Sequence, residues 1–510
     1  MIWDWAKSTF GLVYDRNLMK NKEKGLSAGK LAMMALGSVI GGSFFLGSAV
    51  ALNAAGPAII ISFIIGGALV YFILYALSEM TVANPDTGSF RTFTTKVFGP
   101  GAGFVVGWVY WTGMILAMSS EATAASILIR EWYPGINVPL LGSLIIIGVT
   151  FLNLLGADKL SKLESGLASI KFLAIVSFII LAVLLIAGLL PGRDPIGAGE
   201  LAGEPFAPAG IRGMAGSMLI VMFSYAGFEI IGLAASETNN PGKTVPRAIA
   251  FTVISLVGLY IITFLVLLPL IPTAILSENV SPLVAALTRN GMQWASTGIN
   301  VVLITAILST MLAAMFGLGR MMRSLAEERD APRFLKDKKD VPYRGILFSG
   351  FGMLVGLGLG QLLPRVYLFL ISSGGFALLF TYASILATHI KFRKKNGCPP
   401  EGKCQMPGYP YTSWFALISL VLIIFSMPLI PGQAPGLIAG LIIIAFYSGV
   451  YSLKRYANNT YKRIADVEFD YYKYRSRFSE EVSEELAKGL KESDELEQDK
   501  SDGHDKDEDI

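Results

Sequence analysis

The sequence predicts an all-α membrane protein of twelve transmembrane helices, built as a five-plus-five inverted repeat with broken helices 1 and 6. Three observations carry this prediction. Of 510 residues, 53% are apolar and only 16% charged, a balance foreign to soluble domains. Apolar runs near the roughly 20 residues that a bilayer requires recur along the whole chain. The first and sixth of these runs are both interrupted by glycine and polar residues, as corresponding positions of two repeats would be.

The runs fall at 31–55, 57–80, 101–130, 139–156, 166–190 and 213–236, then at 247–271, 295–320, 345–363, 366–390, 412–429 and 433–453. The split within LLPRVYLFL rests on Pro364 alone. Residues 1–30 form an N-terminal segment, 31–190 the first repeat, 213–390 the second, 411–453 the last two helices and 457–510 a charged tail. No small-residue cleavage site follows a short apolar core near Met1, so no cleaved signal peptide is expected.

Orientation follows from lysine and arginine in the loops. Twenty lie in or beside the loops after even-numbered spans, with Arg247, Arg320 and the deeper Lys171 counted among them, and five, Arg130, Arg193, Arg212, Arg289 and Arg365, lie on the opposite side. Both termini are therefore expected in the cytoplasm of a cell-membrane protein. Residues 457–510 hold nine basic and seventeen acidic side chains, and from Glu480 they read as a solvated, disordered tail.

Several chemistries are excluded by residue supply. His389 and His504 are the only histidines, too few for a zinc-protease helix or histidine-based hydrolysis, and no glycine-rich phosphate loop with a lysine is present. Cys398 and Cys404, in NGCPPEGKCQMPGYP, lack the further ligands a metal needs and read as free thiols in a reducing compartment. No cofactor, metal or nucleic acid is expected; the lipid bilayer is the one partner that composition demands.

The stretch LGSVIGGSFFLG places Gly37, Gly41, Gly42 and Gly47 inside the first apolar run. Glycine costs about 1 kcal/mol relative to alanine in a helix interior. Close packing is one explanation, since Gly37 and Gly41 form a small-xxx-small pair; Gly352, Gly356 and Gly360 in the ninth run are read that way. The other is a helix that unwinds in mid-membrane and offers backbone N–H and C=O groups to a polar ligand. The sixth run favours the second, because MFSYAGFEIIG holds Ser224, Gly227, Gly232 and the acidic Glu229 within apolar sequence.

Other intramembrane charges are few. Glu121, in AMSSEATAAS, lies nine residues before Arg130, hence roughly 13 Å below the helix end; it reads equally as a structural acceptor or as a substrate or proton group. Lys171, in SIKFLAIVSF, is too deep for comfortable snorkelling. Near the cytoplasmic side, Glu79 precedes PDTGSFRTF, in which Pro85 and Gly88 set a turn and Thr87 is placed to cap the next helix. Glu237, Lys243 and Arg247 read either as inner-gate ion pairs or as residues facing water.

GSVIGGSFF with NAAGPA, then LSEMTVANPDTGSF, then FSYAGFE with AASETNNPGKTVPRAI, resembles the amino acid permeases of the amino acid-polyamine-organocation superfamily, in its bacterial amino acid transporter branch. The resemblance covers residues 25–455. It implies twelve helices with spans 1–5 and 6–10 as inverted repeats, and secondary active import of an amino acid by alternating access. By motif position, the substrate carboxylate meets backbone N–H groups around Gly41, Gly42 and Ser43. Its amino group meets carbonyls of Val39, Phe223, Ser224 and Ala226, beside Gly227. Helix polarity agrees, since a helix start attracts an anion and a helix end a cation.

Many relatives have glycine at Ser43 and a small residue near Phe228; both departures narrow the pocket and favour a small neutral amino acid, with Phe228 facing lipid as the alternative. Tyr225 is either a lid or an ordinary packed tyrosine. Proton-coupled members carry a lysine where Lys171 stands, so protons are the expected co-substrate, with Lys171, Glu229 and Glu121 as coupling residues. Ser309 and Thr310 leave sodium as the runner-up. Exchange transport, or an amino acid receptor on the same fold, is the alternative function; a channel lacks its ring of charged or carbonyl groups. Which amino acid is moved, and the oligomeric state, are not legible.

Overall fold

The computed structural model describes residues 27–83, 89–155, 157–229, 231, 238, 241–337, 341–398 and 406–457, and among them fifteen α-helices form, all but the fourth and the tenth within the apolar runs. Helices and turns make up the regular structure, and no strand occurs among the described residues. In chain order the helices are α1 (Ala28–Val39), α2 (Ser48–Ala55), α3 (Ile59–Ala83), α4 (Ser89–Phe98) and α5 (Pro100–Arg130). Next come α6 (Val138–Asn153), α7 (Ala157–Ile186), α8 (Gly210–Ser224), α9 (Pro241–Leu267) and α10 (Pro282–Arg289). The series closes with α11 (Gln293–Glu327), α12 (Tyr343–Gly360), α13 (Val366–Asn396), α14 (Tyr411–Ser426) and α15 (Ala434–Ala457).

Among the described residues, eight helices are long and apolar enough to cross a membrane. Four more apolar segments, Ala28–Val39, Val138–Asn153, Ile170–Ile186 and Gly210–Ser224, are shorter. The two runs around Pro364 are separate helices, one ending at Gly360 and the next starting at Val366. Large apolar side chains stand exposed on the outward faces, among them Leu144, Phe151, Leu173, Ile180, Phe425 and Ile442. In water such a surface marks a binding face or aggregation; on membrane helices it meets lipid chains.

Local sequence explains where helices stop. Ser27 caps α1 by accepting from the Lys30 N–H, and α1 ends at Val39 because Ile40 turns extended (φ −72°, ψ 105°) just before two glycines. Ser43–Gly47 resumes as a π-helical turn, a wide winding common at functional sites, and passes into α2. On the other side α8 ends at Ser224, and Gly227 takes φ +106°, a region that favours glycine. A methyl group on Gly227 would also stand 2.8 Å from the Ser38 carbonyl oxygen, so this residue is glycine for two reasons.

An aromatic core locks α3 and α9 around the π-turn: the Phe44 ring stacks on Tyr260 at 4.1 Å, and Phe63 packs on Tyr260 and Phe264. Gly352, Gly356 and Gly360 of α12 pack closely; a methyl on Gly356, for example, would meet Leu116 of α5 at 3.1 Å. At the end assigned to the cytoplasm, the Glu79 carboxylate is fully buried and accepts from His389 Nε2 (2.7 Å), from Arg393 Nη1 (2.7 and 2.9 Å) and from the Met406 N–H (2.6 Å). This ties α3, α13 and the start of the α14 region together. Arg91 of α4 pairs with Glu328 and with Asp330 (3.0 Å), whose carbonyl accepts from Trp108 of α5.

One sequence expectation is corrected. Cys398 is disulfide-bonded rather than a free thiol. The expectation came from the redox state of a compartment, which is a property of the solution and not of the chain. Cys404, Glu237, the turn at Pro85, Thr87 and Gly88, and the tail from residue 458 lie outside the described residues.

Candidate functional site

The end of α1 and the end of α8 meet face to face. The Ser38 hydroxyl lies 2.9 Å from the Gly227 carbonyl, and the Ser43 hydroxyl reaches the Phe223 carbonyl at 3.5 Å. Two stretches far apart in the chain thus meet through side-chain hydroxyls and backbone carbonyls in one buried space. Glycine at 227 is what lets the two stretches come this close, whereas Gly41 and Gly42 make room for Thr310, Ile307 and Glu121.

Into this space α5 inserts Glu121, only 3% exposed. Its Oε2 accepts the Gly42 N–H at 2.8 Å and its Oε1 the Ser43 N–H at 3.2 Å. A methyl on Gly42 would stand 2.5 Å from Glu121 Oε2, so glycine is required for the carboxylate to seat. The two amides expected to hold a substrate carboxylate are therefore occupied by a carboxylate of the protein itself. Two N–H groups at the start of a helical turn form an anion site by geometry and dipole alike.

Lys171 of α7 is 2% exposed, while its neighbours Phe172 and Leu173 face outward. Its ammonium donates to the Gly37 carbonyl at 3.2 Å and to the Thr310 hydroxyl of α11 at 2.8 Å. Thr310 in turn shares its hydrogen between the carbonyls of Ile40 (3.3 Å) and Ala306 (3.1 Å). Lys171 thus touches the first broken run at Gly37, short of Val39, because α1 stays wound through Val39 and the lysine reaches its flank.

Glu229 is buried and forms a second acidic centre. Its Oε1 accepts from Tyr110 at 3.2 Å, and its Oε2 from Tyr382 at 3.3 Å and from the Gly227 N–H at 3.0 Å. Of the carbonyls expected to face an amino group, Ser224 already accepts from Tyr260 at 3.0 Å, and Phe223 from the Ala226 N–H at 3.0 Å and from Ser43. Each carbonyl oxygen has two lone pairs. Tyr225 donates to the Phe63 carbonyl at 2.9 Å and is packed in the aromatic core, not poised as a lid. Phe228 is fully buried against Tyr382, which removes the lipid-facing alternative.

Sequence reasoning missed Tyr110, Tyr382, Tyr260 and Ser38, and weighed Thr310 only as a sodium ligand. Nothing in a tyrosine's neighbours says that its hydroxyl will meet a distant carboxylate, and the chain has nineteen tyrosines. Of the gate candidates, Lys243 is exposed.

The sequence model of the family described as amino acid permease matches residues 30–461. The chain belongs to this family. It is 32% identical over 435 residues to the gamma-aminobutyric acid permease of Bacillus subtilis (strain 168), covering 83% of this chain and 93% of that relative. It is 31% identical over 439 residues to the gamma-aminobutyric acid permease of Escherichia coli (strain K12), covering 85% and 94%. The amino-acid permease RocC of Bacillus subtilis (strain 168) is 30% identical over 453 residues, covering 86% and 96%. Membership supports amino acid transport by a multi-pass membrane protein and points to a transporter rather than an enzyme.

Proposed function

We propose that this permease imports a small, neutral amino acid by proton symport with alternating access, crossing the cell membrane twelve times with both termini in the cytoplasm. In this reading helices 1–5 and 6–10 are inverted repeats. One broken span is made of α1 and α2, and α8 is the first half of the other. One observation carries the proposal: the Gly42 and Ser43 N–H groups hold a buried carboxylate. A site that seats Glu121 has the shape and polarity to seat the carboxylate of an amino acid.

The substrate carboxylate takes the place of Glu121, which leaves as a neutral acid after gaining a proton. An ionised Glu121 moved off its donors would be an uncompensated buried charge. The substrate ammonium then faces the carbonyls of Phe223, Ser224 and Ala226, with Val39, Gly41 and Gly227 lining the approach. Lys171 reports the state of the break through Gly37 and Thr310, and Glu229 the state of Gly227, so both are placed to exchange protons as the halves move. Ser43 and the buried Phe228 support a compact substrate.

Sodium symport is the second reading, favoured by the Ser309 hydroxyl, which is buried with no hydrogen-bond partner. Uptake of tritiated alanine, 4-aminobutyrate, lysine and phenylalanine into proteoliposomes separates the readings. An inward proton gradient without sodium should drive accumulation of one of the first two; accumulation that requires sodium, or none of any compound, overturns the proposal. 4-Aminobutyrate is included because two of the relatives are named for it.

A further inference from the structure

A half-open cavity, here the outer chamber, lies at the helix ends that the lysine and arginine count places outside the cell. It has a volume of about 230 Å³ and is bounded by Arg130 at the end of α5, Glu278 and Asn279 before α10, and Arg365 and Tyr367 at the start of α13. This is room for several waters or for a small metabolite. Apolar side chains, among them Ile127, Val138 and Leu357, line the rest of it.

Its charges are arranged in two groups. Arg130 donates to Asn279 Oδ1 at 3.4 Å, and Arg365 donates to the Pro431 carbonyl at 3.0 Å. Each guanidinium has five N–H donors, so both keep donors for a carboxylate. Glu278 Oε1 lies 3.9 Å from Arg365 Nε, while its Oε2 is buried with no hydrogen-bond partner. The Tyr367 hydroxyl, on a side chain 4% exposed, is likewise buried without a partner. Native interiors rarely leave such groups unsatisfied. Two orphaned oxygens and two guanidiniums around one cavity are complementary to a molecule with an ammonium at one end and a carboxylate at the other.

Tyr367 also connects the chamber to the site described above. A methyl added to Gly47 would stand 3.2 Å from its hydroxyl, and Gly47 ends the π-turn that begins at Ser43. The same tyrosine is thus a wall of the outer chamber and a neighbour of the segment that binds Glu121.

We propose that this chamber is an outer loading site for the amino acid: Arg130 and Arg365 take its carboxylate, and Glu278 Oε2 and the Tyr367 hydroxyl take its ammonium. The inference rests on the reading that this permease carries an amino acid. The loading site has one more positive than negative side chain among these three charges, so it concentrates carboxylates before they reach Gly42 and Ser43.

Equilibrium binding of tritiated alanine and 4-aminobutyrate to the purified full chain in lipid nanodiscs tests this. For the compound that is transported, wild type should bind two molecules per chain, Glu278→Gln one and Gly42→Leu one. Tyr367→Phe, which removes only a hydroxyl, guards against misfolding and should weaken the outer site alone by about tenfold. One molecule per chain in wild type, lost in Gly42→Leu and untouched by Glu278→Gln and Tyr367→Phe, overturns the loading site and leaves the transport reading standing. No binding of either compound by wild type overturns both.

Discussion

Glu121 changes what its neighbours can be asked to do. Bonds to a charged acceptor contribute about 1.5–3 kcal/mol and those to a neutral one about 0.5–1.5. If substrate must displace Glu121, Glu121→Gln offers an easier opponent, so substrate Kd should fall by about tenfold while pH-driven accumulation is lost. A weaker affinity in a folded variant, measured by binding in nanodiscs, would mean that Glu121 holds substrate instead of competing with it. Glu278 gives a pH prediction of definite sign. Burial pushes its carboxyl up, and the Arg365 guanidinium offsets part of that rise. It therefore protonates at a higher pH than an exposed glutamate, and ammonium binding in the outer chamber, whose other charged groups are Arg130 and Arg365, should weaken as pH falls through that raised value. An outer site that tightens on acidification contradicts the role given to Glu278.

At the scale of elements, glycines of like appearance do different work. Gly42 admits a carboxylate, whereas Gly352 of α12 admits the neighbouring helix: the nearest atom to a methyl there would be Ile115 Cδ1, the mobile end of a side chain, at 2.6 Å. Gly42→Leu should abolish uptake without loss of the folded protein, and Gly352→Ala should keep uptake with a stability change within about 1 kcal/mol. Equal losses in both, by uptake and thermal denaturation, would return Gly42 to packing. The membrane class and the helical architecture were legible because apolar runs are a property of local sequence. The ends of α1 and α8 were legible too, since Gly41, Gly42 and Gly227 stand out in apolar surroundings. What those ends face was not. Glu121 bonds across 79 residues to Gly42, and Tyr110 across 119 to Glu229, and no local pattern encodes such pairings.

At the scale of the whole molecule, buried ion pairs pin the helices at the end that the lysine and arginine count assigns to the cytoplasm. The Glu79 cluster and the Arg91 pairs join helices from distant parts of the chain around buried charges. Removing one partner of such a pair leaves the other unpaired and costs about 3–5 kcal/mol. Glu79→Gln should therefore lower the thermal midpoint with little effect on substrate affinity; an unchanged midpoint would show that His389 and Arg393 find other partners. The most direct test of the central claim counts protons. When the transported amino acid is added to purified protein in weakly buffered solution near neutral pH, wild type should take up about one proton for each molecule that displaces Glu121, and Glu121→Gln should take up none. Binding without proton uptake in wild type, or uptake undiminished in Glu121→Gln, would contradict it.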